Sequence, residues 1–281
     1  MSLRLRFGSF CAAVTARMFA AVTRGAAASA LGAAAVTLGA TAIALSAVAP
    51  LPTMAAQAWG GVPVLMYHKV DREVPSDAVG RDLTVSPEGF AAQLQWLRTH
   101  GIHTVTAAQL SEELARGQRP ERTVVLSFDD GYADAATTVL PILRRYGATA
   151  TFYVSAGFVG TPRHLNWRQL RELRAAGMEV ACHGTFHLDL STLDRAGQQA
   201  EAGHCLATFA KYLGGPRPFT YAYPAGKYDA VTFQVMRELG IRAAFTEIPG
   251  AVKSLEAPFV LPRRRVRRDD SLASFAALAT P

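Results

Sequence analysis

The sequence predicts a single α/β domain whose parallel sheet curls into a barrel. Three observations lead there. From residue 62 onward, short apolar runs alternate with amphipathic helical segments, the pattern of a parallel sheet with helical crossovers. The links between them are short. Nothing from residue 60 to 281 reads as a linker, a repeat or a low-complexity tract, and one domain of that length fits a barrel better than two small domains.

The elements follow in order. Val62 to Tyr67 is an apolar run and the first strand. Ser86 and Pro87 open a helix, serine as N-cap and proline in the first turn, with Phe90, Leu94 and Leu97 at helical spacing. Gly101 ends it. Ile102 to Val105 is a strand, and Thr106 with Gln109 forms a capping box for the next helix. Thr123 to Phe128 is a strand, and Ala133 to Tyr146 a helix with Leu140, Leu143 and Tyr146 inward. A strand from Ala148 to Val154, a helix from Trp167 to Ala176 and a strand from Met178 to Cys182 come next. A long amphipathic helix runs from Asp194 to Leu213, then a strand from Phe219 to Tyr223, a helix from Asp229 to Leu239 and a strand from Ile241 to Phe245. Phe259 to Val266 closes the set, and Leu272 to Leu278 is a terminal helix.

The first residues read as targeting. Residues 1 to 58 hold four arginines and no acid, and an uncharged alanine-rich run extends from Gly25 to Ala49. Ala56-Gln57-Ala58 reads as a cleavage site with Trp59 as the first mature residue. A basic start, an apolar run and small residues before a cut describe an export signal. The run is also long enough to remain as an anchor with membrane association. The expectation is therefore an export signal or N-terminal membrane anchor over 1–58 and a folded domain over 59–281. The expected location is the periplasm, the cell envelope or the medium.

The net charge of +7 is uneven: without those four arginines, 25 basic residues face 22 acidic ones. The rest of the excess lies in Arg263-Arg264-Arg265-Val266-Arg267-Arg268, read here as an arginine-rich last strand exposed on one face. No recognition motif accompanies it, so no nucleic acid partner is expected. Three cysteines give no disulfide framework. Cys182 and Cys205 either pair in an oxidising compartment or stay as buried thiols.

Chemistry-bearing residues collect where strands end. One strand ends on Tyr67-His68, another on Phe128-Asp129-Asp130-Gly131, a third on Cys182-His183-Gly184-Thr185-Phe186-His187 and a fourth on Tyr223-Pro224-Ala225-Gly226. Adjacent carboxylates repel and are costly to desolvate unless something compensates. Asp-Asp-Gly in isolation is more often a turn with a helix N-cap, and H-x-x-x-H alone is weak. Both at strand ends of one alternating fold point instead to a bound cation. Two histidines and a carboxylate make a facial ligand set with open positions. Zinc held so generates a nucleophilic water near neutral pH, and its charge lets both aspartates stay ionised.

SFDDG, the HxxxH element and the YPAG segment, in this order and spacing, resemble the polysaccharide deacetylase family, also called NodB-like or carbohydrate esterase family 4. The resemblance covers nearly all of residues 61 to 275. VPVLMYHKV, AYPAGKYD, GIRAAFT and LPRRRV resemble the subgroup that de-N-acetylates poly-β-1,6-N-acetyl-D-glucosamine, a biofilm exopolysaccharide. The resemblance implies a distorted (β/α) barrel and one divalent metal, zinc first, with cobalt, nickel or iron as alternatives. Carried over by motif, Asp130, His183 and His187 are the metal ligands and Asp129 is the catalytic base. Tyr223, Pro224 and Ala225 border the substrate, with a backbone N–H near Ala225 for the oxyanion.

Two departures stand out. The family's Arg-x-Pro-Tyr is here Ala222-Tyr223-Pro224-Ala225, so the arginine that usually orients the base is expected to be absent, along with the tyrosine side chain. The late Leu-x-His that often supplies the acid is also missing, and His68 is the candidate acid by elimination. The functional expectation is an exported, metal-dependent polysaccharide N-deacetylase, with export or synthesis machinery as separate chains. Peptidoglycan or chitin deacetylases and a catalytically silent glycan-binding module are the alternatives.

Overall fold

The computed structural model describes residues 59–281; the expected export signal or anchor, residues 1–58, lies outside them. Among the described residues, no helix is long and apolar enough to cross a membrane. Eleven strands and eight α-helices alternate along the described chain. The strands are β1 (Val62–Tyr67), β2 (Lys69–Val70), β3 (Thr84–Val85), β4 (His103–Val105), β5 (Thr123–Phe128), β6 (Thr151–Val154), β7 (Glu179–Cys182), β8 (Thr220–Ala222), β9 (Ala243–Phe245), β10 (Ala251–Val252) and β11 (Arg264–Arg265). The helices are α1 (Ala78–Asp82), α2 (Pro87–Thr99), α3 (Ala107–Ala115), α4 (Leu140–Tyr146), α5 (Trp167–Ala175), α6 (Arg195–Leu213), α7 (Ala230–Glu238) and α8 (Leu272–Ala279).

Local chemistry sets the helix starts. Ser86 accepts the Gly89 N–H at 3.0 Å with Pro87 at the first position of α2, and Thr106 with Gln109 forms the capping box of α3. The helix expected from Ala133 to Tyr146 begins instead with a π-helical segment, Ala135–Val139, before α4. Pro141 explains the difference: its ring clashes with the carbonyl one turn back and it has no N–H to donate, and the wider π turn relieves both.

The main sheet runs β10-β1-β5-β6-β7-β8-β9, with β4 on β5 and β11 on β1. All its named strand pairs are parallel except β1 with β10. Phe245 of β9 bridges to Leu261, while Leu65 and Met66 of β1 pair with Arg264 and Arg265. The irregular segment from Leu261 to Arg265 thus joins the two ends of the curled sheet, and the barrel is distorted there.

Strand alternation sorts the side chains into two layers. On β5, Val124, Leu126 and Phe128 join the large core under the helices, while Val125 faces the barrel interior. On β7, Val180 and Cys182 face the helices and Ala181 the interior. The interior layer also holds Ala222, Ala243 and Tyr153. Its alanines leave room for a large side chain, and the largest fully buried one is Arg263. Asp129 and His183, next after β5 and β7, continue the inward phase.

Cys182 and Cys205 form a disulfide, which settles the alternative left open by the sequence. It joins the end of β7 to α6.

Candidate metal and catalytic centre

Asp130, His183 and His187 come together at the C-terminal rim of the sheet, each offering a ligand atom within 4.8 Å of the others. Asp130 Oδ1 lies 3.5 Å from His183 Nε2 and 3.3 Å from His187 Nε2. Two ligands about 2.1 Å from one tetrahedral ion sit roughly 3.4 Å apart, so these spacings fit a shared cation. Asp130 Oδ1 is also buried with no hydrogen-bond partner. A buried, unpaired carboxylate oxygen between two imidazoles is costly without a cation, and this donor set suits a borderline divalent ion.

Backbone strain aims the candidate ligands. Alternation would send the residue after Asp129 toward the helices. Asp130 instead adopts φ 71° and Gly131 φ 79°, which turns the Asp130 carboxylate back over the rim. A side chain at Gly131 would put its Cβ 2.6 Å from a Val154 methyl, so glycine is required there on two counts. His187 is also left-handed, at φ 58°. His183 donates Nδ1–H to the Ala222 carbonyl at 2.8 Å, which leaves Nε2 facing Asp130. Burial lowers the His183 pKa, while Asp129 and Asp130 raise it less, which favours the neutral ring that metal binding would need.

Asp129 does not share the ion site in the same way. Its Oδ1 and Oδ2 accept from Arg263 NH1 and NH2, both at 2.7 Å. The two side chains are 1 % and 0 % exposed. Arg263 is itself held by the Thr246 carbonyl at 2.9 Å and by the Ser127 hydroxyl at 3.3 Å. Burial is the largest single influence and pushes the Asp129 pKa up; the Arg263 guanidinium, with help from His183 and His68, outweighs it and holds the carboxyl well below the usual range. Two expectations are corrected here. An arginine that orients Asp129, the expected base, is present after all, supplied by the late LPRRRV segment, and the first arginine of that run is not on an exposed face. It points inward because Leu261 and Arg264 pair on opposite sides, and of the two residues between them, Pro262 and Arg263, the arginine turns into the space left by the small interior side chains.

His68 lies at the same rim, within electrostatic reach of Asp129 and Asp130; burial lowers its pKa and those two carboxylates raise it less. Tyr223 turns its ring into the core, where its hydroxyl donates to the Phe259 carbonyl at 3.0 Å. Its side chain therefore points away from solvent, whereas Ala225 is exposed at φ 52°. Within that turn Gly226 and Lys227, not Ala225, donate the closing hydrogen bonds. A polar cleft of about 420 Å³ opens beside Tyr132, lined by Lys69, Asp71, Asp134 and Arg163 among others. Tyr132 stands next to Asp130: burial and that carboxylate push its phenol pKa up.

The sequence model of the polysaccharide deacetylase family matches residues 116–244. The Bacillus subtilis (strain 168) protein named "Putative polysaccharide deacetylase YxkH" is 30 % identical over 217 residues, 77 % of this chain and 75 % of that one. The chain belongs to the polysaccharide deacetylase family. It is a hydrolase of the kind that removes N-acetyl groups. The poly-β-1,6-N-acetyl-D-glucosamine N-deacetylase of Escherichia coli (strain K12) is 25 % identical over 268 residues, 79 % of this chain but only 39 % of its own length. Among solved structures, the Streptococcus pyogenes deacetylase PplD in complex with acetate superposes with a TM-score of 0.74 at 26 % identity, over 79 % of this chain and all of that one.

The structure adds one residue to the candidate site that sequence reasoning missed, Arg263. Arg263 was visible only as part of a charge run, and its inward phase depends on an irregular segment that periodicity cannot register.

Proposed function

We propose that this deacetylase is metal-dependent, is exported, and acts on poly-β-1,6-N-acetyl-D-glucosamine. The observation that carries the catalytic reading is the division of labour between two adjacent carboxylates: Asp130 shares its rim with two imidazoles, while Asp129 is locked to Arg263. A divalent ion held by Asp130, His183 and His187, zinc in the first instance, would polarise the acetyl carbonyl and acidify water beside it.

The chain's own groups do the rest. Arg263 keeps Asp129 ionised and fixes its plane. Asp129 Oδ2, 3.9 Å from His183 Nε2, faces the rim and takes the proton of the attacking water. The Ala225 N–H, unused by its own turn, donates to the carbonyl oxygen as charge builds there. His68, whose pKa burial lowers, starts neutral; it takes over the proton that Asp129 drew from the water, which returns Asp129 to its charged form, and the imidazolium, favoured by the charges of Asp129 and Asp130, then protonates the leaving amine. The cleft beside Tyr132 accommodates the neighbouring sugars of the polymer. The substrate assignment rests on the subgroup motifs and the Escherichia coli relative. Export rests on the sequence of residues 1–58.

The test is acetate release by the purified chain from β-1,6-linked N-acetylglucosamine oligomers, chitin oligomers and peptidoglycan, with chelator or with added zinc, cobalt or nickel. The expected result is release from the β-1,6 polymer that chelator abolishes and metal restores. Release from chitin or peptidoglycan alone would reassign the substrate. Binding of glycan with no release from any of the three would make the chain a binding module.

A further inference from the structure

We infer that Glu201 is a positioning residue that holds the loop His183–Leu188 in the shape that presents His187 to a metal. The inference rests on the proposed metal site. Glu201 lies on α6 and is only 4 % exposed. Its Oε1 accepts three backbone N–H groups, from Thr185 at 2.9 Å, Phe186 at 2.7 Å and Leu188 at 3.2 Å. These donors flank His187 on both sides. The Glu201 carbonyl also accepts the Thr185 hydroxyl at 2.7 Å. One side chain therefore gathers the whole ligand loop around a single oxygen.

The loop needs such a hold. His187 is left-handed at φ 58°, a conformation that a residue with a Cβ keeps only when its surroundings over-determine it. Gly184, at φ 78°, passes so close to Glu201 that an added Cβ would lie 2.6 Å from Oε1. A carboxylate makes stronger, charge-assisted bonds to N–H groups than a neutral acceptor does. The Cys182–Cys205 disulfide pins only the start of the loop, one residue before His183. His187 is five residues from that staple, and Glu201, one helical turn before Cys205 on the same face of α6, reaches it. The helix thus grips the metal loop at both ends.

Zinc affinity, measured by competition with a chromophoric chelator, tests this on the full chain. Glu201→Ala is expected to weaken zinc binding by about 10–100-fold, the usual effect of removing a group that orients a ligand. Glu201→Gln keeps an acceptor without the charge and should fall between. Gln198→Ala is the control: Gln198 is buried one turn earlier on α6, bonded to the Leu193 carbonyl and to Asp229 rather than to the loop. It should lower the melting temperature and leave zinc affinity within about twofold. Equal zinc affinity in wild type and Glu201→Ala, or equal losses in Glu201→Ala and Gln198→Ala, would overturn the inference. If Glu201→Ala does not fold, Glu201→Asp, which withdraws the carboxylate from the loop by one methylene, is judged by the same comparison. Zinc binding by His183→Ala as tight as wild type would overturn the metal site itself, a result distinct from failure at Glu201.

Discussion

Arg263 grips both oxygens of Asp129 at 2.7 Å across 134 residues of sequence, and neither side chain reaches solvent. The pair explains how a carboxylate stays charged in the interior of a barrel, next to a second carboxylate. It also limits how basic Asp129 can be, because the guanidinium that orients the group stabilises its ionised form.

Replacing Arg263 by Met removes the fork and leaves Asp129 buried and alone. Breaking a buried pair from one side costs about 3–5 kcal/mol, so the melting temperature should fall clearly at neutral pH. The pair's contribution is present above the unfolded aspartate pKa of about 3.9 and is lost only as pH falls through the depressed folded value. The gap between wild type and Arg263→Met should therefore narrow in acid. Burial now dominates at Asp129, so the acid limb of kcat/KM should move to higher pH. Arg263→Lys keeps a charge without the bidentate geometry and should hold the acid limb nearer wild type while losing turnover. An unmoved acid limb in Arg263→Met would separate Asp129 from the proton transfer.

Asp134 offers a pH effect of opposite sign. Burial pushes its pKa up to about 6, although it accepts the Val70 N–H at 2.7 Å. An acid with a raised folded pKa holds its proton longer in the folded state, so stability declines as pH rises from about 4 to 6 and stays lower above that. Asn can accept the same N–H with no charge to bury. Asp134→Asn should match wild type near pH 4 and exceed it by up to about 3 kcal/mol above pH 6. Denaturant unfolding at both pH values measures it; a constant offset between the two proteins would show that ionisation is not the cause.

The Cys182–Cys205 bond closes a loop with a sequence separation of 23 residues. Constraining the unfolded chain over such a loop typically stabilises by about 3 kcal/mol. Cys205→Ser, or reduction of the wild type under native conditions, should lower stability by that order. Intact-mass analysis after alkylation should find neither thiol free in protein recovered from an oxidising compartment. Two alkylated thiols at these positions would show that the bond does not form there.

Much of this was legible because strand ends and strand phase are local properties. Val62–Tyr67 and Thr123–Phe128 were readable as strands residue for residue, and the alternation along the latter already sends Asp129 inward. The rest depends on where distant segments land. Nothing local marks Arg263 as different from Arg264, since one residue of phase separates a buried fork from a partly exposed side chain and a two-residue strand sets no phase. Glu201 acquires its role only through a loop that folds back onto α6. The π-helical start before α4 answers to Pro141, a breaker that sits six residues beyond the first residue of that segment, Ala135.

The sharpest test separates the two neighbouring aspartates. Asp130→Asn removes the ligand charge between the two imidazoles and should lose zinc affinity first, with turnover partly recovered by excess metal. Asp129→Asn leaves all three ligands in place, so it should keep zinc and lose turnover by about 10²–10⁴-fold, the usual contribution of a general base. The structure adds a complication. Asn turns an NH₂ donor toward a guanidinium that has only donors to offer, and Arg263 is left buried without its counter-charge. Asp129→Asn should therefore also unfold at a lower temperature, and activity must be read well below that point. The double variant Asp129→Asn with Arg263→Met removes the orphan charge and should regain stability relative to Asp129→Asn, a coupling that a double-mutant cycle reads directly. It should regain no turnover, because the base is still missing. If the double variant recovers acetate release along with its melting temperature, the loss in Asp129→Asn was one of folding, and the proton acceptor is a different group.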